Sequence, residues 1–161
     1  MGTIGREMVD MDVDELLALL NKAFADEWLA YYQYWIGAQV LEGQLHGEAE
    51  AELLEHANDE LRHAQMLSDR IIQLDGTPLL TPEDWYEHTN CGYEAPEDPS
   101  VKKIIHQNIE GEQCAIKVYR KLADMTKETD PVTYEIVLEI MRDEIEHEDD
   151  LEGILDDMKH M

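Results

Sequence analysis

Two copies of one short pattern stand out for their chemistry: Glu60-Leu61-Arg62-His63 and Glu144-Ile145-Glu146-His147. A carboxylate and an imidazole three residues apart project from one face of a helix. The apolar register around the second copy runs Val137, Ile140, Glu144, His147, Leu151, Ile154, Met158, in alternating steps of three and four. Both polar groups therefore occupy the seam that faces other helices. A Glu and a His buried there are costly unless something pairs with them, and a bound metal ion is the natural partner.

Two further glutamates lie in apolar seams, Glu27 and Glu112. Glu60 follows Glu27 by 33 residues, and Glu144 follows Glu112 by 32. Tyr34 and Tyr119 each come seven residues after the first Glu of their half. The chain thus repeats internally, as expected for two helix pairs related by a pseudo-twofold axis. Glu110 is a weaker choice than Glu112, because a two-residue offset turns it about 200° from the seam. Four carboxylates carry the charge that balances two divalent cations. Oxygen donors that can bridge, with imidazoles that leave open positions, suit two iron ions reacting with oxygen species. The expected roles are bridging for Glu60 and Glu144 and terminal for His63, His147, Glu27 and Glu112. The plainer role for Tyr34 and Tyr119 is hydrogen bonding to carboxylates, not redox chemistry. His56, His106 and His160 read as ordinary surface or core residues. Glu48, Glu50, Glu52 and Glu55 read as a solvated face, and Glu146 as outward.

The elements that must position these groups are four long helices, expected at about 12–42, 48–75, 100–128 and 131–158. Their seams read Leu16, Leu20, Ala23, Glu27, Ala30, Tyr34, Ala38, Leu41; then Leu53, Ala57, Glu60, Ala64, Leu67, Ile71, Leu74; then Val101, Ile105, Asn108, Glu112, Ala115, Tyr119, Leu122; then the register given above. Asp12 or Asp14 caps the first helix and Asp130-Pro131 opens the last. Residues 76–99 hold four of the five prolines with Trp85, Tyr86 and Tyr93. Thr81-Pro82 there predicts a short helix. Short, long and short connections give an all-α four-helix bundle with one long crossover, which is the ferritin-like topology.

At 161 residues the chain reads as one domain over 1–161. No apolar run nears 20 residues, so no transmembrane helix is expected, and a cytoplasmic protein is the default. With 12 basic against 38 acidic residues the net charge is -26, which argues against direct nucleic-acid binding. The acidity fits attraction of metal cations and equally fits a solvated surface suited to high salt. Cys91 and Cys114 are too few for a disulfide framework. Cysteines of an intracellular protein are more often reduced, buried, metal-associated or redox-active.

Together these residues resemble the ferritin-like superfamily, particularly bacterioferritins and their small relatives. The resemblance is clearest over Glu60-Leu-Arg-His63-Ala-Gln-Met-Leu-Ser-Asp-Arg-Ile-Ile-Gln-Leu-Asp-Gly-Thr-Pro78 and over Arg142-Asp-Glu144-Ile-Glu-His147. Bacterioferritins place a haem-ligating Met directly after the second-helix Glu. Leu61 stands there, so no haem is expected. The sequence ends with the fourth long helix, so no fifth helix is expected, and it lacks the paired CxxC motifs of rubrerythrins. Glu112-Gln113-Cys114 with Cys91 upstream is similar to the paired-cysteine motif of Dps-like thioferritins, which form hollow dodecamers. That resemblance implies a di-iron site inside each subunit at Glu27, Glu60, His63, Glu112, Glu144 and His147, with Cys91 and Cys114 beside it. It implies a homo-dodecameric ferroxidase that oxidises Fe(II) with hydrogen peroxide or dioxygen, stores the product and protects against oxidative stress. The alternative is a di-iron or iron-manganese peroxidase or oxidase of rubrerythrin type without mineral storage.

Overall fold

A computed structural model describes all 161 residues. A short α1 (Thr3–Glu7) precedes α2 (Val13–Val40) and α3 (His46–Gln73). The crossover carries α4 (Pro82–His88), and α5 (Val101–Thr126) and α6 (Pro131–Lys159) complete the chain. The four long helices and the short crossover helix match expectation, with ends shifted by at most two residues. The sequence reading did not anticipate α1. It is tied down by the amino terminus and Arg6, both of which pair with Asp75.

Local chemistry sets the helix limits. The Asp12 carboxylate accepts the amides of Asp14 and Glu15 at 2.9 and 3.3 Å and caps α2. Gly43, at φ 117, makes the turn out of α2 in a backbone region that side chains disfavour. Gly76 ends α3 where a Cβ would come within 2.4 Å of a Leu17 methyl. Asp130 accepts the Thr133 amide at 3.2 Å and Pro131 sits in the first turn of α6.

α2 packs along α3 and α5 along α6, and the two pairs meet α2 against α5 and α3 against α6. The crossover runs the length of the bundle. It is held to α2 by stacking of Trp85 on Trp28, with centroids 5.0 Å apart. It ends beside the C-terminus of α2, where Glu42 N donates to Pro99 O at 2.8 Å and Val101 N to Glu42 O at 3.1 Å. All the predicted seam positions are buried except Ala30 and Met158, which are half-buried. The interior divides into two apolar clusters, one around Leu20, Leu67, Leu122 and Ile140, the other around Leu53, Ile104, Ile105 and Leu151. Between them lies a polar layer made by the seam glutamates and histidines.

One buried ion pair steadies the end of the bundle. Arg70 Nη2 donates to both Asp130 oxygens at 3.0 and 2.9 Å, and Arg70 Nε to Thr133 Oγ1 at 2.8 Å. Arg70→Ala leaves the Asp130 carboxylate buried without its partner. The expected loss is about 3–5 kcal/mol, read as a lower denaturant midpoint at unchanged slope. A loss under about 1 kcal/mol, the range of exposed pairs, contradicts this account.

Candidate metal centre

Each long helix delivers one carboxylate to the polar layer. Glu27 comes from α2, Glu60 and His63 from α3, Glu112 from α5, and Glu144 and His147 from α6. All six predicted residues meet there, and none is more than 3% exposed. Their donor atoms form two overlapping groups whose members lie within 4.8 Å of one another. One is Glu27, Glu60, His63 and Glu144. The other is Glu60, Glu112, Glu144 and His147. Glu60 and Glu144 belong to both, which is the arrangement expected of bridging carboxylates. His63 Nδ1 lies 3.4 Å from Glu27 and 3.2 Å from Glu144. His147 Nδ1 lies 3.0 Å from Glu60 and 3.2 Å from Glu112.

The donor set fits metal ions on a structural ground. Six of the nine buried side-chain nitrogen and oxygen atoms without a hydrogen-bond partner are here: Glu27 Oε2, both Glu60 oxygens, His63 Nδ1, Glu112 Oε2 and Glu144 Oε1. Unpartnered buried acceptors are expensive, and these all point at one another. Cations placed among them would satisfy the whole set.

The two motifs brace each other. His63 Nε2 lies 2.8 Å from Asp143, the residue before Glu144, and His147 Nε2 lies 2.9 Å from Asp59, the residue before Glu60. Each aspartate takes the outer ring proton and leaves Nδ1 free to face the carboxylates. Arg62 holds Asp143 at 2.5 Å. The tyrosines act reciprocally as well. Tyr34 donates to Glu112 Oε1 at 2.5 Å, and Tyr119 donates to Glu27 Oε1. Hydrogen bonding to carboxylates is thus the role that the structure gives both, and the carboxylates are those of the site.

Charge crowding and burial shift Glu27, Glu60, Glu144, both imidazoles and both tyrosines. Burial raises Glu60 and Glu144 well above the usual carboxyl range. The neighbouring Glu27 and Glu112 add to the rise at Glu60, and Glu112, Glu60 and Glu27 add to it at Glu144. Burial also opposes ionisation of Glu27, but the adjacent Glu60 carboxyl and the His63 charge outweigh it, and Glu27 is lowered. Burial works against charge on the imidazoles, yet the carboxylates prevail. His63 is raised, chiefly by Glu27, and His147 is raised to about 9, chiefly by Glu112. Burial and the adjacent glutamates raise both tyrosines well above 10.

A cavity of about 230 Å³ reaches all four glutamates from the α2–α5 side, with Cys91, Tyr93 and Glu110 among its walls. Glu110 is exposed at this mouth, as its offset from the seam requires. Cys91 and Cys114 are half-buried and joined by a disulfide, Sγ–Sγ 2.14 Å. This departs from reduced thiols and is compatible with the redox-active alternative among the states expected. It also places the bond where the crossover meets α5, on the wall of the cavity. The loop is held by Asp26, whose carboxylate accepts from Thr89 Oγ1, Asn90 N, Asn90 Nδ2 and Cys91 N at 2.5–3.0 Å. Burial raises Asp26 in spite of these bonds.

The sequence reading missed five participants. Asp59 and Asp143 had a signal, since both motifs read Asp-Glu-x-x-His. Asp26 likewise precedes Glu27. His56, read as an ordinary residue, is buried and stacked on His147, with centroids 3.9 Å apart. Burial and the neighbouring His147 lower His56 to about 4. Glu52, read as part of a solvated face, lies 3.0 Å from His56 Nε2. The aspartates are testable. Asp59→Ala or Asp143→Ala is expected to lower Co(II) affinity about 10–100-fold in a normally folded protein. Unchanged affinity in equilibrium titration contradicts the bracing role.

Comparison with known proteins accords with this geometry. The ferritin-like domain family matches residues 17–161. The DNA protection during starvation protein of Pyrococcus furiosus is 38% identical over 152 residues, 92% of this chain and 81% of that protein. The bacterioferritin of Desulfovibrio desulfuricans is 28% identical over 134 residues, 83% of this chain and 70% of that protein. Among solved structures, the bacterioferritin-related protein of Bacteroides fragilis, described as a dodecameric thioferritin, superposes with a TM-score of 0.93. It is 42% identical, over 94% of this chain and 90% of that one. With its four-helix bundle, long crossover and repeated Glu-x-x-His pattern, this chain belongs to the ferritin-like family, among the relatives of bacterioferritins and Dps-like thioferritins.

Proposed function

We propose that the protein is a ferroxidase mini-ferritin that takes Fe(II) as substrate at Glu27, Glu60, His63, Glu112, Glu144 and His147. The supporting observation is the pair of overlapping donor groups that share Glu60 and Glu144 and hold the unpartnered oxygens. Two bound Fe(II) supply one electron each, so one hydrogen peroxide takes two electrons and two protons and leaves as two waters. Dioxygen is the other oxidant of this class. The protein's own residues do the rest. Asp59 and Asp143 fix the imidazoles, Tyr34 and Tyr119 hold one oxygen of Glu112 and Glu27, and the apolar clusters keep bulk water out. The cavity along Cys91 admits the small oxidant. Removing Fe(II) and peroxide together limits hydroxyl-radical chemistry, and retained Fe(III) would be stored. A homo-dodecamer is proposed from the Bacteroides fragilis likeness, and a cytoplasmic location from membership of the ferritin-like family. No helix is long and apolar enough to cross a membrane. The net charge of -26 disfavours direct nucleic-acid contact.

The disulfide favours a second reading, a peroxidase of rubrerythrin type without storage. A reduced Cys91–Cys114 pair can give two electrons to hydrogen peroxide, closing the S–S bond and yielding two waters, with no net iron oxidation. Iron retention separates the readings. Far more iron per chain than the two-ion site can hold supports storage, and retention limited to that site supports the peroxidase. Thiol counting tests the cysteine step. Pre-reduced protein is expected to lose both free thiols on peroxide addition, and an unchanged count rules the step out.

A further inference from the structure

The paired site has a neighbour across the bundle from the cavity. His56 lies one turn before Glu60 on α3, with its side chain 2% exposed. Its Nδ1 is 3.3 Å from Tyr34 Oη. Tyr34 has one proton, and that proton is donated to Glu112 Oε1 at 2.5 Å. The phenol oxygen can then only accept, so His56 Nδ1 carries a hydrogen and donates it. In the neutral ring this leaves a bare lone pair on Nε2. That lone pair faces Glu52 Oε1 at 3.0 Å and Asp150 Oδ2 at 3.4 Å. When ionised, neither carboxylate has a proton to offer. With both carboxylates ionised, three acceptors converge on one point with a buried nitrogen aimed into it, and burial and the Asp150 charge push Glu52 up accordingly. A second ring proton would relieve the clash. It would, however, place a buried charge directly against the stacked His147 ring.

We propose that Glu52, His56 and Asp150 form a third cation site, for a single divalent first-row transition ion such as Fe(II). One imidazole and two carboxylates are the donor types such ions take, and their donor atoms lie within 4.8 Å of one another. Glu52 and Asp150 are 29% and 40% exposed at the side chain, so the site opens to solvent between α3 and α6. The cavity opens between α2 and α5. Metal and oxidant would thus reach the paired site from opposite faces. The third ion would be linked to it by the Tyr34–Glu112 hydrogen bond and the His147 stack. Staging of Fe(II) rests on the ferroxidase reading, whereas the site itself does not.

Co(II) titration of the full-length protein, read by stoichiometry and by its visible d–d bands, tests this. Wild-type protein is expected to bind one ion more per chain than Glu52→Gln/Asp150→Asn, whose two changes are at solvent-reaching positions. Glu60→Gln/Glu144→Gln is expected to keep that one ion while losing the others. Equal stoichiometry in wild type and Glu52→Gln/Asp150→Asn overturns the third site. Loss of every ion in Glu60→Gln/Glu144→Gln overturns its independence. If instead Glu60→Gln/Glu144→Gln binds as many ions as wild type, the paired-site reading fails and the third site stands. For staging, initial Fe(II) oxidation at limiting iron should slow about tenfold in Glu52→Gln/Asp150→Asn and recover at saturating iron. An unchanged rate at limiting iron removes the staging role.

Discussion

Glu60→Gln/Glu144→Gln is expected to abolish Fe(II) oxidation and, in the same molecule, to stabilise the metal-free fold. The first effect follows from sharing. Both residues belong to both donor groups, so the double change removes two of the three carboxylates available to either ion. Loss of an outer partner of a metal ligand already lowers affinity or activity about 10–100-fold, and loss of two shared ligands should exceed that. The second effect follows from the unpartnered atoms. Glu60 has no hydrogen-bond partner at either oxygen, and Glu144 lacks one at Oε1. Both are crowded by Glu27 and Glu112. Glutamine keeps the shape, removes the repulsion and adds donors that those two carboxylates can accept. A gain of about 1–3 kcal/mol is in the range for replacing buried ionic groups with neutral ones of similar size. At this chain length it raises Tm by roughly 3–10 °C. A lower Tm for the variant, with normal helicity, contradicts the view that function holds this layer in electrostatic strain.

Metal-free and metal-loaded protein should respond to pH in opposite directions. His147 is raised from 6.5 to about 9 in the fold. The stability it contributes is complete below about pH 6.5 and is lost as pH climbs through about 9. One pKa unit is worth about 1.4 kcal/mol, so this group alone accounts for about 3 kcal/mol. The raised Glu60 and Glu144 have the same sign. Folded metal-free protein binds protons that the unfolded chain releases above about pH 4.5, so its stability falls as pH rises toward their folded values. Glu27, which is lowered, works in the other direction, and its contribution is lost only as pH falls below its ordinary range. Metal ligation reverses the balance, because bound imidazole and carboxylate must be deprotonated. Between pH 6 and 9 the Tm of metal-free protein should fall while the increment from saturating Co(II) grows. Parallel curves would show that the metal does not displace these protons.

Much of this was legible because a seam is a periodic object. Glu27, Glu60, Glu112 and Glu144 fall in register with leucines, alanines and isoleucines, and the structure buries them together. The repeat of about 33 residues and the tyrosine at +7 pointed to paired halves, which the reciprocal Tyr34–Glu112 and Tyr119–Glu27 bonds display. Asp59 and Asp143 escaped because one residue is about 100° of helical rotation, which put them outside the seam and among 38 acidic residues. Only the spacing between α3 and α6 shows that each reaches the other helix's imidazole. His56 shares the face of Glu60, but nothing local distinguishes it from a core histidine. Its meaning comes from Tyr34 on α2 and Asp150 on α6. The disulfide and its Asp26 anchor lie where an irregular loop meets α5, and periodicity has no purchase there. Arg70 looked like any helix-end arginine until Asp130 was brought beside it.

Anomalous diffraction from crystals of the whole protein soaked in Fe(II) without oxygen is the most direct measurement of the central claim. Two iron peaks are expected within the polar layer, both in contact with Glu60 and Glu144. One should be completed by Glu27 and His63 and the other by Glu112 and His147. A single peak, or iron bound only at surface carboxylates while these six residues keep their metal-free contacts, would contradict it.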